Sequence, residues 1–333
     1  MLSALALLLL SCSSTPREVV IYTSVDQVYA EPILDRFEKR TGIHVRAVFD
    51  VEAAKTTGLV QRLVAERGRP RADVFWSGEI AQTIGLERAG VLAPYRSPAA
   101  RDLPARYIDP DGYWAGFAPR ARVILVNTRL VDPSSQPRSL NDFLDTRWPG
   151  EKIGIAYPLF GTTATQAAAL YALWGPERGH AFFQALAKRK IRVLAGNSVV
   201  KDKVASGELL FGLTDSDDAA RAIEAGAPVR AVIPDQGTGG SGTLLIPNTV
   251  ALVKGGPHPD AGRILIDYLA SREVESELAK QGWTHFPLRP PSEGAAGLPG
   301  AAPEIKTLDV GYDDVYKQLE RVAPELRELF VSS

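Results

Sequence analysis

Val19-Val20-Ile21-Tyr22-Thr23-Ser24 is an apolar, β-branched run that stops on two hydroxyl residues. Ala30 to Thr41 comes next, with Ile33, Leu34 and Phe37 at helical spacing, and Gly42 closes it. Apolar residues at i, i+1 and i+4 bury one stripe of a helix, and a glycine just past the last of them is a helix stop. His44 to Phe49 alternates as a second strand, Leu59 to Glu66 reads as a helix, and Ala72 to Trp76 is strand-like. Ile80 to Ala89 is a further helix, ended by Gly90. Strands and helices in strict alternation predict an α/β fold with a parallel sheet and helices on its faces.

A second α/β series begins later. Arg122 to Val126, Lys152 to Ala156, Glu208 to Leu213, Val229 to Ile233 and Leu244 to Val253 read as strands. Leu140 to Leu144, the alanine-rich Thr163 to Trp174, Ala181 to Lys190 and Asp217 to Ala225 read as helices, as do Ala261 to Ser271 and Val274 to Lys280. Pro287 to Pro303 is a Pro- and Gly-rich loop, Val315 to Leu329 is the last helix, and no short internal repeat is present.

The chain has 333 residues, 45% hydrophobic and 23% charged, enough for two lobes with sizeable cores. A net charge of −1 excludes the basic excess of a nucleic-acid binder. Met1 to Leu10 is apolar but far short of the roughly 20 residues that span a bilayer. It suits the h-region of a signal peptide, which needs about 7–15 residues. The run Leu9-Leu10-Ser11-Cys12 resembles a bacterial lipobox. The expectation is a leader over 1–12, lipidation of Cys12, and a polar linker over 13–18. Cys12 is the only cysteine, so no disulfide supports the fold.

The order of segments resembles the class II solute-binding proteins of ABC importers, in particular the ferric-ion-binding branch. Val20-Ile21-Tyr22-Thr23-Ser24 and Phe37 to Val45 are similar to that family's first strand, helix and second strand. Ala72 to Ser77 and Ala89 to Pro94 resemble its third strand and the helix after it. Arg122 to Asn127, the segment Trp148-Pro149-Gly150-Glu151-Lys152, and His258 to Ala261 before a helix ending at Ser271 complete the resemblance. It implies a two-lobed, type II periplasmic-binding-protein-like fold with the ligand held between lobes. Lobe 1 is expected over 19–118 and 250–333, and lobe 2 over 119–249.

Ligands of open parallel sheets sit outside the carboxyl ends of the strands. That rule selects five polar loops, which contain Ser24, Asp26, Ser77, Glu79, Gly161, Thr162, Thr163, Asn197, Asp215, Asp217 and Asp218. Gly161-Thr162-Thr163 opens a helix. Its free N–H groups either hold an anion or are capped by a threonine hydroxyl. The resemblance implies the anion, with Asn197 assisting. Asp215-Ser216-Asp217-Asp218 places three carboxylates in four residues. One or two acids suit a helix start, whereas three repel one another and invite a cation with a preference for hard oxygen ligands. Typical ferric-binding relatives carry tyrosines where Asp217 and Asp218 stand. By the same resemblance Asp26 and Glu79 join those two as metal ligands. Trp76 and Tyr22 are close in sequence to these loops and offer aromatic faces to an organic cation, with core packing as the alternative.

The resulting expectation is a substrate-binding lipoprotein of an ABC importer that captures a metal cation such as iron, with an accompanying anion, by lobe closure. The metal is the transported ligand, and no cofactor, catalysis or nucleic acid is expected. The expected partners are a permease and an ATPase. The expected state is a monomer, anchored in the periplasm or at the cell surface. Polyamine, thiamine-like or phosphonate ligands, a sensory subunit, and a secreted enzyme on the same fold are the alternatives. The four histidines show no metal-ligand spacing, and the glycines of Gly237 to Gly242 are followed by no lysine, so neither a histidine metal site nor a P-loop is indicated.

Overall fold

The computed structural model describes residues 17–50, 57–290, 297–299 and 304–331. Cys12 and the rest of the expected leader lie outside the described residues. The first series is β1 (Glu18–Thr23), α1 (Gln27–Thr41), β2 (His44–Phe49), α2 (Thr57–Ala65), β3 (Val74–Ser77), α3 (Ile80–Arg88) and β4 (Leu92–Ala93). β5 (Ala115–Asn127) leads to β6 (Ile153–Ala156), α4 (Gly161–Trp174), α5 (Pro176–Lys188), β7 (Arg192–Leu194) and α6 (Asn197–Ala205). Then come β8 (Phe211–Asp215), α7 (Ser216–Glu224), β9 (Val229–Val232), β10 (Leu245–Val253), α8 (Pro259–Leu269), α9 (Arg272–Lys280) and α10 (Tyr312–Val331).

The strands run in the order β2-β1-β3-β10-β5-β8-β6-β7, with β4 on β10 and β9 on β5. β1 pairs in parallel with β2 and β3, and β6 pairs in parallel with β7 and β8. The sheet is nevertheless mixed, because β5 and β10 carry the chain between the two series and run antiparallel to their neighbours. Burial on both faces explains the continuous apolar runs. Val19 and Ile21 enter one core with Phe37 and Leu265, whereas Tyr22 enters another with Leu63 and Ile84. In the second series Ile124 and Val126 face Phe143 and Phe211, and Val123 and Leu125 face Val200 and Ala219.

α1 ends as its sequence predicts. Gly42 takes φ 68° and donates its N–H to the Glu38 carbonyl, a left-handed cap that suits glycine. β5 is longer than the expected Arg122–Val126 strand. It passes through Ala118, at φ 44°, and Pro119, opposite a register shift between Ile246 and Asn248. A proline fits a strand where the ladder is already interrupted. Asn248 Nδ2 donates to the Ala118 carbonyl at 2.6 Å, and the Ala118 N–H donates to Glu275 at 2.9 Å. α10 departs from the expected lobe division. Tyr312 packs in the Tyr22 core, but Val322 and Leu326 pack with Ile124 and Phe211 of the second series. The last helix therefore straps the two halves together. No described helix is long and apolar enough to cross a membrane.

Candidate functional site

The carboxyl ends of β1, β3 and β8, with the loops after β6 and β7, open onto one cleft of about 260 Å³. It is lined by Ser24, Asp26 and Glu79 from the first series, and by Gly161, Thr162, Thr163, Asn197, Asp215, Asp217 and Asp218 from the second. The N-termini of α1, α3, α4, α6 and α7 converge there. Each helix start leaves backbone N–H groups without intrahelical partners. Glu79 satisfies two of those of α3, accepting from Ala81 N at 2.7 Å and Gln82 N at 3.1 Å. α1, α4, α6 and α7 have no side-chain cap. The threonine-cap alternative is therefore not realised at α4, whose N-cap residue is Phe160. Gly161 at φ 60° turns the chain into that helix, a conformation that favours glycine.

The threonine hydroxyls serve Arg122 instead. Its side chain is wholly buried, with Nε donating to Gln166 at 2.8 Å and Nη1 to Asp215 Oδ1 at 2.5 Å. Nη1 also donates to Thr162 Oγ1 at 3.1 Å and Asn197 Oδ1 at 3.2 Å, and Nη2 to Thr163 Oγ1 at 3.3 Å. Thr162 and Asn197 in turn donate to Asp215 Oδ2 at 2.8 and 3.1 Å. Asp215 is the neutralised hub of a polar network. Burial opposes its charge, but Arg122 and Arg120 outweigh burial and hold its carboxyl below the usual range.

Asp217 and Asp218 behave differently. Ligand atoms of Asp215, Asp217 and Asp218 lie within 4.8 Å of one another. Burial raises Asp217, against the pull of Arg120 and with added repulsion from Asp215 and Asp26. Burial, then the charges of Asp217 and Asp215, push Asp218 up to about 7. Asp217 Oδ1 is buried and accepts no hydrogen bond, and the nearest cation is Arg120 Nη1 at 3.8 Å. Arg221 also pulls both acids down, and a further positive group in the cleft would lower their energy again.

Several expected residues have other duties. Trp76 is fully buried and stacks near Phe117, ring centroids 6.2 Å apart, so it packs the core and does not line the cleft. Tyr22 donates to Glu66 at 3.0 Å beneath Arg62 and is also remote from the cleft. Ser77 shapes the turn by donating to the Glu79 carbonyl at 2.7 Å. Glu79, expected as a metal ligand, is raised by burial. Its oxygens are held by the α3 N–H groups and by the Thr165 hydroxyl at 2.6 Å.

Sequence reasoning missed three cleft residues. Arg120 donates to the Gly78 carbonyl at 2.7 Å and to Asp215 at 3.2 Å, and lies 4.5 Å over the Trp283 ring. Trp283 is buried, but unlike Trp76 it lines the cleft, with Arg120 over its ring. Arg221 on α7 reaches Asp26 at 3.4 Å and lies 5.3 Å over the Tyr29 ring. The available signal was two arginines, Arg120 and Arg122, inside an otherwise apolar strand, since charges are fully buried only when paired.

The cleft offers backbone N–H donors to an anion and carboxylates to a cation. The chain matches the family model for bacterial extracellular solute-binding proteins over residues 18–284. It belongs to that family. The family's role is capture of solute, which sets the enzyme alternative aside. The chain is 25% identical to iron uptake protein A1 of Synechocystis, over 84% of this chain and 81% of that protein. It is 26% identical to a putative 2-aminoethylphosphonate-binding periplasmic protein of Salmonella paratyphi A, over 94% of both. Iron-bound HitA from Pseudomonas aeruginosa superposes with a TM-score of 0.80 at 22% identity, covering 93% of this chain and 99% of that one. That likeness establishes the shared two-lobed fold. In this solute-binding protein the Arg120, Thr165 and Arg221 contacts all join the second strand–helix series to the first across the cleft.

Proposed function

We propose that this solute-binding protein delivers its ligand to the permease and ATPase of an ABC importer, and that the ligand pairs a cation with an anion. The observation that carries this reading is the placement of Asp217 and Asp218. Their charge is not cancelled by the Arg122 network, and they face the uncapped N-termini of α4 and α6 across one cleft. In the first form of the reading a hard metal ion such as iron binds Asp26, Asp217 and Asp218. Its accompanying anion then sits on the N–H groups after Gly161 and Asn197. Phenolate ligands are absent from this set, so the oxygen donors are carboxylates and the anion.

A second form is favoured by Arg120 and Arg221, because arginines beside a bare metal ion work against it. A zwitterion such as an aminoalkylphosphonate would place its ammonium on Asp217 and Asp218 and its phosphonate on the α4 and α6 termini. The lobes are proposed to divide near 118/119 and 249/250, with α10 straddling both. The body is proposed to be a monomer, held at a membrane in the periplasm or at the cell surface through lipid on Cys12.

Thermal unfolding with native mass spectrometry separates the two forms. Ligand bound only to the folded state stabilises it by about 2.7 kcal/mol at a hundred times its dissociation constant. A shift with ferric or manganese ion that requires carbonate, phosphate or citrate supports the metal form. A shift with 2-aminoethylphosphonate in metal-free buffer supports the zwitterion. No shift with either class, or with spermidine or thiamine, overturns the reading.

A further inference from the structure

Opposite the cleft, the first lobe carries a face of a different character. The strands β1 and β3 open onto the cleft at their carboxyl ends, and their amino ends meet a groove of about 600 Å³ lined by Arg46, Arg62, Arg69, Arg71 and His258. A second groove of about 380 Å³ continues from it through Pro70 and Arg71 to Arg67 and Lys254. Few acids answer this charge. Glu18 is engaged by Arg46 and His258, each at 3.6 Å, buried Asp73 by His258 at 3.1 Å, and Glu66 by Arg62 at 2.9 Å. Arg67, Arg69, Arg71 and Lys254 are exposed and have no carboxylate partner among the described residues. A chain of net charge −1 therefore concentrates positive charge at one end of one lobe. A local excess of this kind sets up a field that acts on an extended anionic surface within about 10 Å at ordinary salt.

The same end carries Arg17, the first of the described residues. The Arg17 carbonyl accepts from the His44 N–H at 2.8 Å beside Glu18, and Cys12 stands five positions before Arg17. Five residues reach at most about 17 Å.

We propose that this arginine face is a docking surface for an anionic phospholipid bilayer, on which the first lobe rests with its cleft turned away toward solution. The lipid phosphates are the recognised chemistry, and a juxtamembrane cluster of Lys and Arg is a known form of such recognition. The resting orientation depends on the Cys12 anchor proposed above, whereas the affinity of the face for lipid does not. In this position the cleft loads from solution, and the body must lift from the bilayer to present it to a permease.

Vesicle co-sedimentation of the full chain carrying Cys12→Ser tests the face without the anchor. Vesicles of phosphatidylglycerol mixed with phosphatidylcholine are expected to bind it at least tenfold better than pure phosphatidylcholine, with the preference lost in high salt. Arg67→Glu, Arg69→Glu and Arg71→Glu together are expected to abolish the preference. Arg129→Glu, Arg178→Glu and Lys188→Glu together change net charge equally and are expected to keep it. All six are exposed, and circular dichroism checks that both variants fold. Equal binding to both vesicles, an unaffected arginine variant, or full displacement by millimolar inorganic phosphate would each overturn the bilayer surface. Mass spectrometry of the N-terminal peptide of the Cys12 protein reads the anchor separately. Unmodified Cys12 with the vesicle preference intact removes only the anchor. Lipidated Cys12 without the preference removes only the face.

Discussion

Arg122 Nη1 lies 2.5 Å from Asp215 Oδ1, and both side chains are wholly buried beneath the cleft. One carboxylate of the acidic cluster is thereby neutralised, and Asp217 and Asp218 are the two proposed to meet a ligand. Arg122→Met strands a buried carboxylate and is expected to cost about 3–5 kcal/mol in urea unfolding. Arg122→Met with Asp215→Leu is expected to recover most of that loss. Equal stability of Arg122→Met and the native chain would contradict the hub role.

Asp217→Asn and Asp218→Asn remove repulsion at a buried site while preserving shape. The apo protein is expected to melt at a higher temperature than the native chain. The shift produced by its ligand is expected to vanish. A double variant that responds to ligand as strongly as the native protein would sink the cation site.

Thr162 is the second residue of α4, where proline is tolerated because its N–H has no intrahelical partner. Thr162→Pro deletes that N–H and the hydroxyl, and Thr162→Val deletes the hydroxyl alone. If the helix start holds an anion, the anion dependence of binding disappears in the proline variant and survives in the valine variant. Matching behaviour of the two would tie the effect to the Asp215 network instead.

His285 is buried, and burial lowers its ring from 6.5 to about 4. Between those values the unfolded chain binds a proton that the native chain refuses, so stability is lost as pH falls from about 6.5 to about 4. The effect is of order 3 kcal/mol. His285→Gln is expected to show a smaller drop in unfolding free energy between pH 7 and pH 4.5 than the native protein. Parallel pH profiles would remove His285 as the cause.

If Cys12 is lipidated, Cys12→Ser produces an N-terminal peptide without the lipid mass and a protein that a high-salt wash strips from membranes. Retention after that wash would contradict the anchor.

Local chemistry was enough for much of the architecture. Val19 to Thr23, the stripe of Ile33, Leu34 and Phe37, and Gly42 form a strand, a helix and a left-handed cap because each preference is met within a few residues. The same locality located the cleft loops, since the residues that end a strand and start a helix are contiguous. Asp217 and Asp218 stood out because three acids in four residues exceed what a helix start needs.

Sequence position alone could not rank those acids. Asp215 and Asp217 are two residues apart, yet Asp215 meets Arg122 across the sheet and Asp217 does not. Thr162 and Thr163 looked like caps because a hydroxyl at a helix start usually turns back on its own backbone, and here Arg122 claims both. Trp76 packs the core and Trp283, which carried no expectation, lines the cleft, because adjacency in sequence to a cleft loop says nothing about which face of a strand a ring occupies. α10 packs across both halves because the apolar positions of one long helix meet different cores along its length. The sequence by itself determined the elements, their order and the loops at the cleft, all set by neighbours along the chain. Which charges cancel, which stay uncancelled in the cleft and which aromatic ring lines it were decided by contacts between residues 40 to 163 positions apart, which only the tertiary fold brings together.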